Sequence, residues 1–195
     1  LTHLILVPGH AITVRESLRG VDRIDDVWYL LDYQHEKGVP AELVRHIQEG
    51  VKAAAADPAS LLLFSGGATR RVAGPRTEAR NLFGKQCMHF LLHQGGSYFS
   101  VADHFRWWGS PHVRARAAAE EFARDSLENL MFSVCRFHEM TGHYPSRITV
   151  VGYSFKQRRF ETAHRGALRF PRESFAYVGV VPDDGVFDLN RAIEG

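Results

Sequence analysis

The stretch LTHLILVPGH at residues 1–10 decides the fold, because a short aliphatic run there stops on Pro8-Gly9. An apolar run without polar alternation, bounded by turn residues, is typical of a strand buried on both faces of a sheet. The same pattern recurs at three later places, namely residues 61–64 before Ser65-Gly66-Gly67, residues 148–151 before Gly152, and residues 175–181 before Pro182. We therefore predict four buried strands, the first over residues 1–7, and a further short strand around residues 121–123.

Helical patterns lie between the predicted strands, at residues 40–56, 75–92, 126–140 and 155–170. The third of these places apolar side chains on one face and is followed by Gly142, and glycine commonly ends helices. Strands that alternate with helices form right-handed βαβ units, which build a parallel sheet with helices on both faces. We therefore predict one α/β domain over residues 1–195, a Rossmann-like three-layer sandwich with a mostly parallel sheet. In such sheets the ligand crevice lies beyond the carboxyl ends of the strands.

The segment at residues 94–111 contains three glycines and five aromatic residues. Glycine disfavours regular helix, so we predict a long loop here. Trp107 and Trp108 would either form a lid over the crevice or anchor the loop on the body of the domain.

The composition of the 195 residues fits a globular domain, with 45% hydrophobic and 24% charged residues. The net charge of +2 is too small to indicate binding to nucleic acid. The two cysteines, Cys87 and Cys135, are predicted as buried thiols. The sequence has no run of 18 apolar residues and no signal-peptide pattern, so we predict no membrane span and, by default, a cytoplasmic protein. The start at Leu1, inside a predicted strand, leaves a preceding segment open, and no pattern indicates an oligomeric state.

A glycine-rich segment, Ser65-Gly66-Gly67-Ala68-Thr69, follows the second predicted strand. Glycines let backbone N–H groups approach an anion closely, and the hydroxyls of Ser65 and Thr69 add donors. Three arginines follow, at Arg70, Arg71 and Arg76. The segment predicts either an anion site or a tight turn with a solvated basic loop. It has neither a G-x-G-x-x-G nor a P-loop pattern, so nicotinamide and P-loop chemistry are not indicated.

Acidic and polar side chains cluster before the third predicted helix, at Glu120, Asp125, Ser126, Glu128 and Asn129. One interpretation is structural, with Ser126 as the helix cap and the acids near the positive end of the helix dipole. The other is functional, because side chains at a strand end would be placed to bind ligand hydroxyl or amino groups.

The segment Gly152-Tyr153-Ser154-Phe155-Lys156 follows a strand and opens a helix, which is the setting of a nucleophile elbow. It lacks the second glycine of that motif, so Ser154 is favoured as a helix cap over Ser154 as a nucleophile. Lys156 and Arg159 lie in the first helical turns, where the helix dipole disfavours cations unless an anion accompanies them. The pattern therefore predicts either that Lys156 and Arg159 bind an anion or that they are solvated surface charges.

Two histidine pairs have spacings that resemble metal sites. His89 and His93 lie four residues apart on a predicted helix but have no evident third ligand. His138 and His143 lie five residues apart, which places them on different faces of a helix. We therefore predict no metal site. His10, directly after the first strand, is the better functional candidate.

Taken in order, these segments resemble the YdcF/SanA-like family (domain of unknown function 218), most closely its fungal branch. The matching segments, within residues 3–181, are Pro8-Gly9-His10, Ser65-Gly66-Gly67-Ala68, Thr77-Glu78-Ala79, Asp125-Ser126-x-Glu128-Asn129 and Tyr153-Ser154-Phe155-Lys156-x-x-Arg159. The resemblance implies a Rossmann-like fold and a polar pocket at the strand ends, with S-adenosylmethionine as a ligand of one bacterial member. The implied pocket positions are Gly9, Ser65, Gly66, Gly67, Glu78, Glu120, Ser126, Glu128, Asn129 and Arg159. Lys156 stands where bacterial members often carry histidine.

We therefore expect an enzyme, or an enzyme-like pocket, that binds a small anionic or nucleotide-like ligand such as S-adenosylmethionine or a phosphorylated metabolite. In this hypothesis the catalytic set is His10, Glu78 and Glu128, with His10 or Glu78 as general base. The ligand-binding set is Gly9, Ser65, Gly66, Gly67, Thr69, Glu120, Asp125, Ser126, Asn129, Lys156 and Arg159. Two alternatives stay open, a non-catalytic ligand-binding or sensing module and a serine hydrolase that uses Ser154.

Overall fold

The computed structural model describes residues 1–35, 37–67 and 93–181. Within these residues five strands form one parallel sheet in the order β3-β2-β1-β4-β5. The strands are β1 (His3–Pro8), β2 (Ser60–Ser65), β3 (Ala117–Glu120), β4 (Arg147–Tyr153) and β5 (Phe175–Val180). The predicted Rossmann-like α/β sandwich is confirmed.

Three longer helices cover the sheet: α1 (Val39–Ala56), α2 (Gln94–His104) and α3 (Ser126–Thr141). After β4 the chain forms a 3-10 turn (Ser154–Lys156), a π-helical turn (Arg159–His164) and the short helix α4 (Arg165–Ala167). Further 3-10 turns are Asp25–Val27, Asp32–Gln34, Arg106–Gly109, Pro111–Arg116 and Arg172–Ser174. Within the described residues no helix is long and apolar enough to cross a membrane.

The order of the strands reverses between β1 and β4. The chain passes from β1 through α1 to β2 in one direction, and later from β3 through α3 to β4 in the other. In an open parallel sheet this switch point opens a crevice at the carboxyl ends of the two central strands. In this chain that rule places the expected crevice where Gly9 and His10 follow β1 and where Ser154 follows β4.

The three central strands β1, β2 and β4 are buried on both faces, as their continuous apolar runs predict. The edge strand β5 exposes Ala176, Val178 and Gly179, so its prediction as a buried strand is wrong. In β1, Ile5 and Val7 pack in the core under α1 and α2, whereas Leu4 and Leu6 pack under α3 and the π-helical turn. A fully buried side chain of this size contributes about 1.5–3 kcal/mol to the free energy of unfolding. The two cores therefore fix the sheet rigidly between its helices.

The helix α1 lies unusually close to β1. A Cβ atom built at Gly50 would lie 2.3 Å from Val7 Cγ2, so only glycine fits at this crossing. The close crossing holds the amino-terminal half of α1, with His46, against the carboxyl end of β1.

Most predicted elements are confirmed, and their bounds shift by a few residues. The short strand β3 lies just before the predicted residues 121–123. The predicted helix at 155–170 is confirmed only in part, because 3-10, π and α turns alternate there. The predicted helix at 75–92 lies outside the described residues. Cys135 is exposed, so its prediction as a buried thiol is wrong.

The prediction of a long loop at residues 94–111 is wrong, because α2 occupies most of this segment. Glycine at position 95 reflects close packing and not a loop. A Cβ atom there would lie 2.5 Å from the carbonyl oxygen of Phe64 and 2.6 Å from that of Glu120. Trp107 is 2% exposed and its Nε1 donates to Asp103 Oδ1 at 2.7 Å, so this indole anchors the segment.

Candidate functional site

A buried polar network joins the ends of β2 and β3 to the start of α3. Ser65 Oγ lies 2.5 Å from Glu120 Oε2 and 2.8 Å from Asn129 Oδ1. The other carboxylate oxygen of Glu120 accepts hydrogen bonds from the backbone N–H groups of Phe122 and Ala123. These contacts satisfy polar groups that are almost completely buried, so the network stabilises the strand ends.

The glycine-rich segment makes hydrogen bonds within the protein. The N–H of Gly66 donates to the carbonyl of Glu120 at 2.9 Å, and the N–H of Gly67 donates to that of Ala123 at 2.7 Å. The N–H of Gly9 donates to the carbonyl of Ser65 at 2.7 Å. The backbone N–H groups of Gly66 and Gly67, which were predicted to bind an anion, thus donate to carbonyl groups of the protein. This agrees with the interpretation of the segment as a tight turn. Thr69 and Glu78 lie outside the described residues.

Asp125 caps α3, in place of the predicted Ser126. Its Oδ1 accepts from the N–H groups of Leu127 and Glu128, at 2.9 and 2.8 Å. The carboxylate of Glu128 forms a salt bridge with Arg124, whose side-chain hydrogen bond lowers the pKa of Glu128. A carboxylate held ionised in this way is a weak general base, so the geometry gives little support to the predicted catalytic role of Glu128.

The hydroxyl of Ser126 instead contacts His164, with Oγ 2.8 Å from Nε2. His164 ends the π-helical turn that begins at Arg159. Such turns often occur at functional sites, because they rotate side chains out of the regular helical positions. Burial lowers the pKa of His164, and the positive charge of Arg159 lowers it further.

Two imidazoles meet at the carboxyl end of β1. The rings of His10 and His46 have centroids 5.6 Å apart, and both contact the ring of Tyr153 at the end of β4, at 4.9 and 4.2 Å. His46 is 0% exposed, and neither of its ring nitrogens has a hydrogen-bond partner within the described residues. The buried Nε2 of His10 likewise has none there. Buried polar groups without partners are rare and mark places where a ligand or water belongs.

The charges that lower the pKa of these imidazoles are positive, and one of them, Arg45, pairs with the buried carboxylate of Glu42. Burial lowers the pKa of His46 to about 3, and the charges of Lys156 and Arg45 add to this effect. Burial, Lys156 and His46 together hold the pKa of His10 well below its usual range. Both rings are therefore neutral at physiological pH, with one N–H donor and one acceptor nitrogen each.

The charge of Lys156 acts on both imidazoles, since it contributes to the lowered pKa of His10 and of His46. Burial lowers the pKa of Lys156 to about 8, and the neighbouring charge of Arg159 lowers it further. Neither Lys156 nor Arg159 forms a salt bridge with a carboxylate of residues 1–35, 37–67 or 93–181. We call the five side chains His10, His46, Lys156, Arg159 and His164 the cation cluster.

Ser154 lies at the first position of the 3-10 turn after β4 and makes no side-chain capping bond, in contrast to its predicted role as a helix cap. The neighbouring strand lies close to it, since a Cβ atom at Gly179 would be 3.1 Å from Ser154 Cβ. Within the described residues, no histidine hydrogen-bonds to this hydroxyl. The geometry that activates a serine nucleophile is therefore not present at Ser154.

Two other polar features lie away from the switch point. At the amino ends of the strands, His3 bridges Asp57 and Thr149 at 2.7 and 2.8 Å, which ties β1 and β4 to the end of α1.

A groove of about 610 Å³ lies between the edge strand β3 and α3, lined by Ala119, Glu120, Glu121, Phe122, Phe132, Cys135, Arg136 and Glu139. No group of three or more His, Cys, Asp or Glu side chains in the described part of the chain is placed to hold a metal ion.

Six of the predicted site residues fall into two groups. His10, Lys156 and Arg159 belong to the cation cluster, whereas Ser65, Glu120 and Asn129 form the buried network. Sequence reasoning missed His46 and His164, because neither stands in a motif. A histidine at an otherwise buried position of α1 was the only signal for His46.

Comparison with known proteins gives one informative match. The chain is 27% identical over 204 residues to an uncharacterized protein of Saccharomyces cerevisiae, YOR238W, covering 92% of this chain and 67% of the yeast protein. No family model matches the chain. The resemblance to the YdcF/SanA-like family therefore stays a prediction, and the yeast relative carries no functional assignment.

Proposed function

We propose that the chain binds a small anionic or nucleotide-like ligand at the carboxyl ends of β1 and β4, in an enzyme or enzyme-like pocket. The observation that carries the proposal is the cation cluster. It combines buried imidazole nitrogens of His10 and His46 with the charges of Lys156 and Arg159, and within the described residues these nitrogens have no hydrogen-bond partner and these cations form no salt bridge. An anion would satisfy both features at once.

The energetics support an anion at this place. A buried polar group without a partner costs about 1–3 kcal/mol of stability. The pKa of Lys156 is lowered first by burial and then by the neighbouring charge of Arg159, so the two cations add to this cost. A site that is unfavourable without ligand is typical of functional sites.

A chemical role follows from the same features. The negative charge of a bound substrate would raise the lowered pKa of His10, so that His10 accepts a proton from a hydroxyl or water while Lys156 and Arg159 hold that charge. A non-catalytic sensing module would use the same contacts without turnover. Assays for turnover of any bound ligand decide between these two functions.

The direct test is a thermal-shift screen with nucleotides, sugar phosphates, S-adenosylmethionine and divalent metals. A ligand at 100 times its dissociation constant stabilises the protein by about 2.7 kcal/mol. We expect the shift to disappear in Arg159→Gln and to persist in Arg158→Gln, because Arg158 is its exposed neighbour. If the thermal shift is unchanged in Arg159→Gln, the ligand binds at another site.

The serine hydrolase is the weaker candidate, because His164 contacts Ser126 and not Ser154. A serine-directed phosphonate probe tests it cheaply. We expect no labelling at Ser154, and labelling there that is lost in Ser154→Ala would favour the hydrolase.

A further inference from the structure

The cation cluster restricts the hydrogen bonds that a ligand must offer. Each neutral imidazole has one donor and one acceptor nitrogen. At His46 both ring nitrogens are buried and have no partner among the described residues, and at His10 the same holds for Nε2. A ligand that satisfies His46 fully must therefore accept one hydrogen bond and donate another.

The cluster also restricts the charge of the ligand. The charges that lower the pKa of His10 and His46 come from Lys156 and from Arg45, and Arg45 is paired with the buried carboxylate of Glu42. Arg159 adds a positive charge next to Lys156 and His164. The sulfonium centre of S-adenosylmethionine is itself positive, so this environment repels it.

Few biological groups meet both conditions. A carboxylate accepts hydrogen bonds but donates none at neutral pH, and sulfate likewise carries no proton. A phosphate monoester has a second pKa of about 6, so it binds a proton readily, and it presents three acceptor oxygens. It is therefore an anion that can both accept from one imidazole nitrogen and donate to another.

On these grounds we infer that the ligand carries a phosphoryl group. Lys156 and Arg159 bind its negative charge. The imidazoles of His10 and His46 donate one hydrogen bond to a phosphoryl oxygen and accept another from the P–OH group. This inference rests on the proposed function and names its ligand class. It excludes S-adenosylmethionine as the ligand of the cation cluster.

The test compares inorganic phosphate with sulfate and S-adenosylmethionine by calorimetric titration at pH 7 and constant ionic strength. Phosphate and sulfate are both tetrahedral anions, but at pH 7 phosphate carries a proton that it can donate in a hydrogen bond, whereas sulfate carries none. We expect phosphate to bind about five- to tenfold more tightly than sulfate, which is the effect of one additional hydrogen bond. We expect no binding of S-adenosylmethionine.

Variants separate the charge contacts of the two cations from the hydrogen bonds of the imidazoles. Lys156→Met should weaken phosphate and sulfate alike by at least about tenfold, whereas Lys52→Met, at an exposed lysine of α1, should change neither. His46→Phe, which keeps the ring but can neither accept nor donate a hydrogen bond, should bring the ratio of the two affinities close to one. If that variant does not fold, His10→Phe gives the same test at a partly exposed position.

Further titrations identify the kind of molecule that carries the phosphoryl group. Glycerol 3-phosphate represents a lipid head group, and adenosine monophosphate represents a nucleotide. Tighter binding of either one than of inorganic phosphate supports the inference and identifies the rest of the ligand. Equal binding of phosphate and sulfate, or binding of S-adenosylmethionine alone, overturns the phosphoryl inference but leaves an occupied pocket. Failure of every anion and nucleotide to bind overturns the proposed function as well.

Discussion

Replacement of Lys156 by methionine should stabilise the ligand-free protein. The pKa of Lys156 falls from its usual 10.5 to about 8 on folding, mainly because of burial. At about 1.4 kcal/mol for each pKa unit, this difference corresponds to roughly 3 kcal/mol of stability lost when the amine is charged. Methionine has a similar length and carries no charge, so we expect Lys156→Met to gain about 1–3 kcal/mol at pH 7.

The pH dependence of this gain follows from the sign of the pKa change. Because the folded pKa of Lys156 is lowered, the unfolded chain binds more protons between pH 8 and 10.5. The wild type therefore becomes more stable relative to Lys156→Met as the pH rises through this window. Below pH 8 the difference is constant.

Urea denaturation at pH 7 and at pH 10 measures both effects. We expect the advantage of Lys156→Met to be largest at pH 7 and to shrink at pH 10, while Lys52→Met shows no such dependence. A variant that is less stable than the wild type at pH 7, or whose advantage is the same at both pH values, would refute the reasoning.

Three further predictions concern the surroundings of the site. The lowered pKa of His46 alone should cost the wild type up to about 2 kcal/mol between pH 6.5 and 5, and His46→Leu should reduce the total loss by that amount in urea titrations. Ser65→Ala should cost about 2 kcal/mol, because Glu120 and Asn129 lose a buried partner, and an unchanged denaturation midpoint would show that the network does not stabilise the strand ends. Gly95→Ala should cost more than about 2 kcal/mol, because its Cβ meets backbone atoms. The control Gly166→Ala, with nothing within 4 Å, should change the melting temperature little.

The sheet was predictable because its strands are aliphatic runs that stop at turn residues. Buried parallel strands need no polar alternation, so the run in β1 was a sufficient signal. The helix α2 was missed because glycine normally disfavours helices. Here close contact with β2 and β3 requires glycine at position 95, and such a requirement depends on packing that local sequence does not reveal.

The site was predictable only where it follows strand ends. His10 and Lys156 stand directly after β1 and β4, so topology brings them together. His46 joins them from α1 because of the close helix crossing at Gly50, and no local pattern reports that crossing. The cap of α3 was misassigned to Ser126, since Asp125 and Ser126 are both good capping residues and only geometry distinguishes them.

The most direct test of the cation cluster as an anion site is calorimetric titration of inorganic phosphate into the wild type, Lys156→Met and Lys52→Met at pH 7. We predict saturable binding at one site in the wild type and in Lys52→Met, and loss of that binding in Lys156→Met. Binding that is equally tight in all three proteins would show that the anion lies elsewhere and would contradict the proposed site.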